Sequence, residues 1–301
     1  MRRAAETALG VDVGGTRIRV ARIDRAGRIL ERIVEPVRAD RAGFQEQLAR
    51  LTGELRAPSD TAVGIGIPGR VDGHSGTILS AGYLDIAGLD LAGLIAERTG
   101  LPCRIENDAT MALIAEMRAR VSGPSGLVAM FTIGTGIGGA MLQDGRPWYG
   151  GGLSGQFGHI VVADDGPPCN CGRTGCVETF SSGTALGRLI AQDGLPETTR
   201  AGDLLARAKG GDSQAADLLE RWARPLFRAI ETIVSVTDPN LVLIGGGLGA
   251  EMTRALARLP SRSRWFSLPI EAAVLGDDAG VVGAGICGLD TLPNSEGGAT
   301  A

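Results

Sequence analysis

One arrangement of glycines occurs twice in this 301-residue chain and restricts the folds that it can adopt. Residues 8–30 predict a strand, a glycine-rich turn and two further strands joined by a tight turn. Residues 127–148 repeat this plan, and a shift of 120 positions places Gly14 on Gly134. A supersecondary plan that is used twice predicts two related lobes.

Helix and strand patterns alternate through the rest of the chain, which is the order of an α/β protein. Residues 44–55, for example, carry apolar side chains at helical spacing, and the Gly-, Ser- and Pro-rich residues 121–126 mark a boundary. We predict a small N-terminal α/β lobe over residues 1–120, a larger C-terminal α/β lobe over residues 121–292 and a disordered tail over residues 293–301. A closing helix near residues 280–292 is a candidate to pack back on the first lobe.

The composition argues against several classes of function. Hydrophobic residues make up 44% and charged residues 21% of the chain, as in soluble globular proteins. A net charge of −4 without a basic stripe argues against a nucleic-acid partner. Lys209 is the only lysine, which argues against a P-loop kinase with its phosphate-binding lysine. Apolar runs are shorter than the ~18 residues of a membrane span and a signal-peptide pattern is absent, so we expect a cytoplasmic protein without a membrane partner.

The two repeated turns are candidates to bind phosphate. Residues 11–16 read VDVGGT and residues 134–139 read GTGIGG, and both join strand to strand, whereas the dinucleotide fingerprint joins strand to helix. Glycines let backbone N–H groups approach phosphate oxygens, Thr16 adds a hydroxyl, and Asp12 is a candidate to orient a magnesium-bound water. A hairpin that only needs flexible glycines is the alternative for either turn, but two turns in matching places predict a triphosphate site.

A third glycine run, residues 245–247, follows a buried strand pattern and precedes a helix pattern. A surface without side chains would admit adenine and ribose there, and close packing of a helix on a sheet is the alternative. The positions predicted to bind the nucleotide are Asp12, Gly14, Gly15, Thr16, Gly134, Thr135, Gly136, Gly138, Gly246 and Gly247.

Four candidate metal ligands, His159, Cys169, Cys171 and Cys176, lie within a short Gly-Pro-containing segment. Structural zinc prefers four tetrahedral nitrogen and sulfur ligands. The chain has two histidines, so one beside a cysteine cluster favours zinc over the alternative of three free thiols. Because the protein would fill all four positions, the zinc is expected to be structural. Glu178 would then be held by this knuckle, or it is an ordinary surface carboxylate.

Residues 106–109 read ENDA between a short strand pattern and a helix pattern. A carboxylate at the carboxyl end of a strand in an α/β protein faces the active-site crevice, where Asp108 could accept a proton from a substrate hydroxyl. Asn and Asp are also common helix N-caps, so a capping role for Asp108 is the alternative.

Together these motifs resemble the ROK family, which contains bacterial glucokinases, other hexose kinases, N-acylhexosamine kinases and sugar-responsive repressors. The similarity runs from about Leu9 to Leu289. The resemblance implies an actin-like (ribonuclease H-like) α/β ATPase fold of two lobes with ATP in the cleft between them. It also implies Mg²⁺ and structural Zn²⁺ as cofactors and a homodimer or homotetramer.

The resemblance further implies a role for individual residues. Asp108 would match the general base that deprotonates the sugar hydroxyl attacking the γ-phosphate of ATP. Asn107, Glu178 and the zinc ligand His159 would match residues that bind sugar hydroxyls, and the pair Gly69-Arg70 resembles a sugar-contacting pair of N-acylmannosamine kinases. The predicted substrate-binding set is Gly69, Arg70, Asn107, Asp108, Gln156, His159 and Glu178.

Two departures from the family pattern affect the expected sugar. Gln156 stands where the family usually has Glu, and the segment around Gly82 reads SAGY where many glucokinases have an Asn after a Pro. We predict ATP-dependent phosphorylation of a hexose or N-acylhexosamine, and a non-catalytic or weakly active sugar-binding regulator or sensor is the alternative. A repressor would need a DNA-binding domain ahead of Asp12, where this chain has eleven residues.

Overall fold

The computed structural model describes residues 6–82, 84–120, 125–260 and 269–290. The chain divides into two compact units: the first contains residues 1–123, Tyr149–Leu153 and 278–301, and the second contains residues 124–148 and 154–277. The predicted boundary at residue 121 lies beside this division, whereas Tyr149–Leu153 and the closing helix belong to the first unit. Residues 121–124 of the predicted boundary, Tyr83 and the predicted tail lie outside the described residues.

The first unit contains a five-stranded sheet of order β3-β2-β1-β4-β7 and a separate hairpin, β5-β6. Its strands are β1 (Thr7–Val13), β2 (Arg17–Asp24), β3 (Ile29–Pro36), β4 (Asp60–Ile67), β5 (Arg70–Asp72), β6 (Thr77–Ser80) and β7 (Cys103–Asn107). Its helices are α1 (Arg41–Leu55), α2 (Leu91–Thr99), α3 (Asp108–Ala119) and α9 (Ala279–Asp290). The first three strands are antiparallel, and β4 and β7 run parallel to β1. The carboxyl ends of β1, β4 and β7 therefore meet at one edge, where α/β proteins bind ligands.

Helix α9 lies against the backbones of β4 and α3, a packing that glycine permits. A Cβ atom added at Gly64 of β4 would lie 1.9 Å from the carbonyl oxygen of Ala284. One added at Gly283 of α9 would lie 1.8 Å from the carbonyl oxygen of Met111. The glycine-rich α9 is helical because this close packing outweighs the low helix propensity of glycine.

The second unit contains a five-stranded sheet of order β10-β9-β8-β11-β12. Its strands are β8 (Leu127–Ile133), β9 (Ile137–Gln143), β10 (Arg146–Pro147), β11 (Leu241–Gly245) and β12 (Ile270–Ala272). Its helices are α4 (Glu178–Ser181), α5 (Gly183–Gln192), α6 (Ala201–Lys209), α7 (Ser213–Thr237) and α8 (Gly249–Leu256). Again the first three strands are antiparallel and the next two run parallel to the first. The repeated hairpin plan predicted from the glycines is therefore confirmed.

Helix α7 continues through Pro225, and a serine side chain repairs the backbone next to the proline. The N–H of Leu226 donates to the hydroxyl of Ser181 at 3.1 Å, and this hydroxyl donates to the carbonyl of Trp222 at 2.7 Å. A proline inside a helix disrupts the preceding turn, and the inserted hydroxyl satisfies both backbone groups. Of the helices in the described ranges, α7 included, none is long and apolar enough to span a bilayer.

Candidate active site

The first glycine turn joins β1 to β2 and leaves its tip exposed. Gly15 and Thr16 are exposed, and a Cβ atom added at Gly15 would have no neighbour within 4 Å. Asp12, near the end of β1, forms an ion pair with Arg19 on β2, with Oδ2 and Nη1 3.1 Å apart. The turn therefore places open backbone and a carboxylate side by side, as a phosphate site with a magnesium ion would require.

Asp108 is the first residue of α3 and follows β7 directly. The N-cap of the helix is Asn107, whose Oδ1 accepts a hydrogen bond from the N–H of Thr110 at 3.1 Å. The carboxylate of Asp108 accepts from the N–H of Ala109 at 2.9 Å and from Nδ2 of Asn107 at 3.1 Å. The alternative interpretation of Asp108 as the helix cap is therefore wrong, because Asn107 is the cap.

The surroundings of Asp108 make its carboxyl group unusually basic. Burial, followed by the negative charge of Asp12, raises the pKa of Asp108 from 3.8 to about 7. The start of α9 lies close to the carboxylate of Asp12, since a Cβ atom added at Gly280 would lie 2.7 Å from its Oδ1. A carboxylate with a pKa near neutrality can accept a proton from a substrate and release it at physiological pH.

The structure brings Asn107 and the predicted substrate-binding Gly69 together. Nδ2 of Asn107 donates to the carbonyl of Gly69 at 2.9 Å. Gly69 has a φ of 98°, and a Cβ atom there would lie 2.6 Å from the carbonyl oxygen of Ser80, so this position requires glycine. The neighbouring Arg70 has a buried Nε without a hydrogen-bond partner in the described part of the chain. A buried donor without a partner makes Arg70 a candidate to bind a ligand acceptor.

A buried polar network beside Asp108 was missed from the sequence. Glu106, whose side chain is 1% exposed, accepts from the hydroxyl of Tyr149 at 2.5 Å and from the N–H of Asn107 at 2.9 Å. Nη2 of Arg104 donates to the Tyr149 oxygen at 2.9 Å and lies 3.7 Å from the Glu106 carboxylate. Burial raises the pKa of Glu106. A carboxylate in a strand directly before two candidate site residues was the available signal, but no local pattern identifies its tyrosine partner.

The second glycine turn, between β8 and β9, is bound by Glu178. Oε2 of this half-buried side chain accepts from the N–H of Ile137 at 2.8 Å, and a Cβ atom at Gly136 would lie 2.4 Å from the same oxygen. Within the turn, the N–H of Gly134 donates to the carbonyl of Gly136 at 3.0 Å, and Thr135 is exposed. Glu178 is therefore not the solvated surface carboxylate that was the alternative.

The third glycine run lies against the end of β8. Gly246 has a φ of 79°, and a Cβ atom there would lie 2.6 Å from the carbonyl oxygen of Ile133. The same carbonyl accepts from the N–H of Leu248 at 3.0 Å. Close packing, the alternative explanation, thus accounts for Gly246. A Cβ atom added at Gly247 would lie 3.1 Å from Oδ1 of Asp277. Gly247 stays a candidate to contact the nucleoside.

The four candidate metal ligands converge on one point. Their donor atoms all lie within 4.8 Å of one another. Sγ of Cys169 is 3.4 Å from Nδ1 of His159, and Sγ of Cys171 is 3.6 Å from Sγ of Cys176. Tetrahedral zinc with Zn–S bonds of about 2.3 Å has ligand atoms about 3.8 Å apart, so this spacing fits a tetrahedral metal ion.

The thiols of this cluster differ in acidity. Although burial opposes the change, the hydrogen bond from Arg173 lowers the pKa of the Cys171 thiol to about 7. Burial raises the pKa of the thiols of Cys169 and Cys176. Since the thiolate is the form that binds a metal, a metal ion bound by this cluster would release protons, and its binding would be favoured at higher pH.

His159 and Gln156 adjoin the metal cluster on a short 3-10 turn, Phe157–His159. The ring of His159 turns Nδ1 towards the sulfur of Cys169, which leaves Nε2 for another partner. The carbonyl of Gln156 accepts from the N–H of His159 at 3.1 Å. The Gln156 side chain forms no hydrogen bond with any residue that the structure describes, so both of its amide atoms are available to a ligand.

Residues 8–289 match the model of the ROK family. The chain belongs to the ROK family. It is 32% identical over 307 residues to a glucokinase of Halalkalibacterium halodurans, with 92% of this chain and 93% of the relative covered. It is also 34% identical over 289 residues to an N-acetylmannosamine kinase of Escherichia coli, with 93% of this chain and 97% of the relative covered.

A solved ROK structure has the same fold. The crystal structure of a ROK family glucokinase from Streptomyces griseus, in complex with glucose and AMPPNP, superimposes with a TM-score of 0.79 at 30% identity. The match covers 94% of this chain and 99% of that one. The actin-like two-lobed α/β fold predicted from the sequence is confirmed, and the chain is a sugar kinase of the ROK family.

Proposed function

We propose that this ROK kinase transfers the γ-phosphoryl group of ATP to a hydroxyl of a hexose or an N-acylhexosamine, with Asp108 as the general base. The placement of Asp108 supports this proposal most directly. Its carboxylate lies at the carboxyl end of β7 with a pKa of about 7. A base of this strength accepts a proton from the attacking hydroxyl near neutral pH, and such catalysis typically contributes about 10²–10⁴-fold.

The glycine turns would bind the phosphates of ATP through backbone N–H groups. The N–H of Gly14 donates to the carbonyl of Arg17 at 2.8 Å, and those of Gly134 and Ile137 donate to Gly136 and Glu178. The phosphate contacts would therefore come from Gly15 and Thr16 in the first turn and from Thr135 and Gly136 in the second. Magnesium bound with ATP would neutralise phosphate charge, and Asp12 would orient a water of its coordination shell. With Lys209 as the only lysine of the chain, backbone dipoles would carry much of the electrostatic stabilisation.

Several side chains of each unit offer polar atoms to a sugar. In the first unit, Arg70 has its buried Nε without a described partner, and Asn107 is fixed beside Asp108. In the second unit, Nε2 of His159 and Oε1 of Glu178 form no hydrogen bond within the described residues. We propose that these four residues, with Gly69 and Gln156, recognise the sugar hydroxyls.

Gln156 favours an N-acylhexosamine as the preferred substrate. A carboxylate, which the family usually has here, only accepts hydrogen bonds and suits a sugar that presents hydroxyl donors. An amide also donates, so it can bind an acyl carbonyl. For an ordinary hexose, replacing a charged acceptor by a neutral one would reduce affinity by roughly tenfold, given about 1.5–3 kcal/mol for charged and about 0.5–1.5 kcal/mol for neutral hydrogen bonds.

We also propose that His159, Cys169, Cys171 and Cys176 bind one structural zinc ion. Their donor atoms have the spacing of a tetrahedral site, and protein ligands would fill all four positions. Zinc would therefore stabilise the knuckle that precedes Glu178 and would take no part in the chemistry.

A coupled assay of ADP release over a panel of hexoses and N-acylhexosamines tests the proposed reaction. Asp108→Asn should lose at least about 100-fold in turnover and still bind ATP. The matched control is Asp85→Asn, which removes an exposed carboxylate of the same unit that lies 3.6 Å from the guanidinium group of Arg41. If Asp108→Asn keeps more than about a tenth of the wild-type rate, another group is the base.

A weakly active sugar-binding sensor is the second candidate, and Gln156 favours it because the usual carboxylate is missing. The two candidates differ in the assay. Such a sensor would bind a sugar in isothermal titration calorimetry, but the sugar would increase the rate of ADP release only slightly.

A further inference from the structure

The segment Glu178 to Thr184, which we call the clamp segment, binds the second glycine turn along its length. Oε2 of Glu178 accepts from the N–H of Ile137 at 2.8 Å. At the other end of the segment, the N–H of Gly183 donates to the carbonyl of Gly134 at 2.8 Å, and Oγ1 of Thr184 donates to the carbonyl of Thr135 at 2.8 Å. The N–H of Thr184 also donates to the Thr135 carbonyl, at 3.4 Å, so four hydrogen bonds join one segment to three positions of a turn that is proposed to bind phosphate.

The middle of the clamp segment is anchored in the core of the second unit. The buried Ser181 hydroxyl is inserted into α7 between Leu226 and Trp222. The indole N–H of Trp222 donates to the carbonyl of Ser182 at 3.0 Å, and the Trp222 side chain is fully buried. A clamp with a rigid centre holds the turn in one conformation, since displacing it would break buried hydrogen bonds.

The start of the clamp segment is tied to the proposed zinc knuckle. Cys176 lies two residues before Glu178, and its carbonyl accepts from both the N–H and Oγ1 of Thr179, at 2.9 and 2.8 Å. The four ligands Cys169, Cys171, Cys176 and His159 fit a tetrahedral ion, so an ion bound there would fix the carbonyl of Cys176 and with it the first turn of α4.

We propose that the clamp segment positions the phosphate turn. The conformation of the turn then depends on the metal knuckle and on Glu178, the residue proposed to bind the sugar. Oε2 of Glu178 is bound to the turn, while Oε1 forms no hydrogen bond within the described residues and is open to a sugar hydroxyl. A sugar bound at Oε1 restrains the same side chain that holds Ile137. The sugar and the nucleotide should therefore bind with positive cooperativity. This inference rests on the proposed function for the identity of both ligands.

Hydrogen exchange of the free protein tests the mechanical part without any substrate. Exchange at the amides of residues 134–139 should become about tenfold faster in Glu178→Ala and in Thr184→Val. It should also become faster in wild type from which metal has been removed by a chelator, and it should return to the original rate when zinc is added back. The matched control is Thr232→Val, which removes an exposed threonine hydroxyl bonded to the carbonyl of Arg228 in α7.

Unchanged exchange of the turn in both clamp variants, with folding intact by circular dichroism, overturns the proposal. If metal removal accelerates exchange at residues 159–176 but not at residues 134–139, the knuckle does not support the turn and the proposal is also wrong.

Binding measurements test the functional part separately. AMPPNP, a non-hydrolysable ATP analogue, is titrated with and without a saturating N-acylhexosamine in isothermal titration calorimetry. Wild type should bind AMPPNP more tightly in the presence of the sugar, and Glu178→Ala should lose this gain, whereas Thr184→Val should keep most of it. A gain that survives in Glu178→Ala overturns the link between sugar and turn. Failure to bind AMPPNP and any sugar of the panel overturns the proposed function but leaves the exchange experiment as a valid test of the clamp.

Discussion

Tyr149 donates a hydrogen bond of 2.5 Å to the carboxylate of Glu106, although 43 residues separate the two in sequence. The tyrosine ring is packed on the turn that carries His74, with ring centroids 5.0 Å apart, and a Cβ atom at Gly73 would lie 2.0 Å from a ring carbon. Glu106 directly precedes Asn107 and Asp108, so this bond ties the segment Tyr149–Leu153 to β7, the strand that directly precedes the proposed base.

Tyr149→Phe should destabilise the protein by about 1.5–3 kcal/mol, because it leaves a buried carboxylate with one donor fewer. The lost bond favours the ionised form of Glu106, so the pKa of Glu106, already raised by burial, should rise further. The loss of stability should therefore be larger at pH 8 than at pH 5. Urea unfolding at both pH values measures the free energy of unfolding. Ser235→Ala, which removes an exposed hydroxyl, is the control and should change stability by less than about 0.5 kcal/mol. Equal stability of Tyr149→Phe and wild type at pH 8 would contradict the buried network.

The pH dependence of catalysis should follow the ionisation of Asp108. A general base acts when deprotonated, and burial raises the pKa of Asp108 to about 7. We expect kcat/KM to rise with pH, to be half-maximal near pH 7 and to level off above it. Initial rates between pH 5 and 9 at constant ionic strength measure the profile. A rate that is constant from pH 5 upwards would mean that no group of this pKa limits the reaction.

The same ionisation should make Asp108→Asn more stable than wild type at high pH. The folded pKa of Asp108 lies above the unfolded value of 3.8, so its contribution to stability is fully present below pH 3.8 and is lost as the pH rises through about 7. An amide does not ionise, and Asn107 still caps α3. We expect a gain of roughly 1–3 kcal/mol at pH 8, after allowance for partial solvent screening, that vanishes near pH 4. Thermal unfolding at the two pH values measures it, and equal gains at both would contradict the raised pKa.

Elemental analysis should find about one zinc ion per chain in wild type and none in Cys171→Ser. Structural zinc contributes about 10–16 kcal/mol in zinc-finger peptides, and a fraction of this exceeds the stability of many domains. We therefore expect the variant to unfold at lower urea concentration and to lose activity. Cys103→Ser, which removes a thiol outside the cluster, should keep its zinc. A metal-free wild type with full activity would contradict a structural role of the ion.

Gln156→Glu should shift the preference among sugars towards glucose. The carboxylate only accepts hydrogen bonds, so it should improve kcat/KM for glucose by roughly tenfold. It should reduce kcat/KM for N-acylhexosamines, because the amide that donates to the acyl carbonyl is gone. The ratio of the two kcat/KM values, measured for wild type and variant, is the readout. If wild type already phosphorylates glucose efficiently and the variant leaves the ranking of sugars unchanged, this account of Gln156 is wrong.

Features that depend on neighbours in sequence were predictable, and those that join distant segments were not. Each glycine turn follows from a motif of six residues, and the convergence of His159 with three cysteines follows from spacing within residues 159–176. The choice between Asn107 and Asp108 as helix cap depends on one backbone turn, which residue types alone do not decide, because both side chains can cap. The Tyr149–Glu106 bond joins residues far apart in the chain, and the periodicity of apolar residues does not predict such a contact. Glu178 was predicted near the site, but its bond to Ile137 depends on how the knuckle folds.

The first unit is built from three separate segments of the chain, and this determines the order in which the protein can fold during synthesis. The ribosome releases β1 and β4 early, but α9, whose backbone fills the space beside Gly64, emerges only after the whole second unit has been synthesised. Until residue 290 leaves the exit tunnel, the apolar faces that α9 will cover stay exposed to chaperones or to other nascent chains. The unit that begins first is therefore the last to be completed.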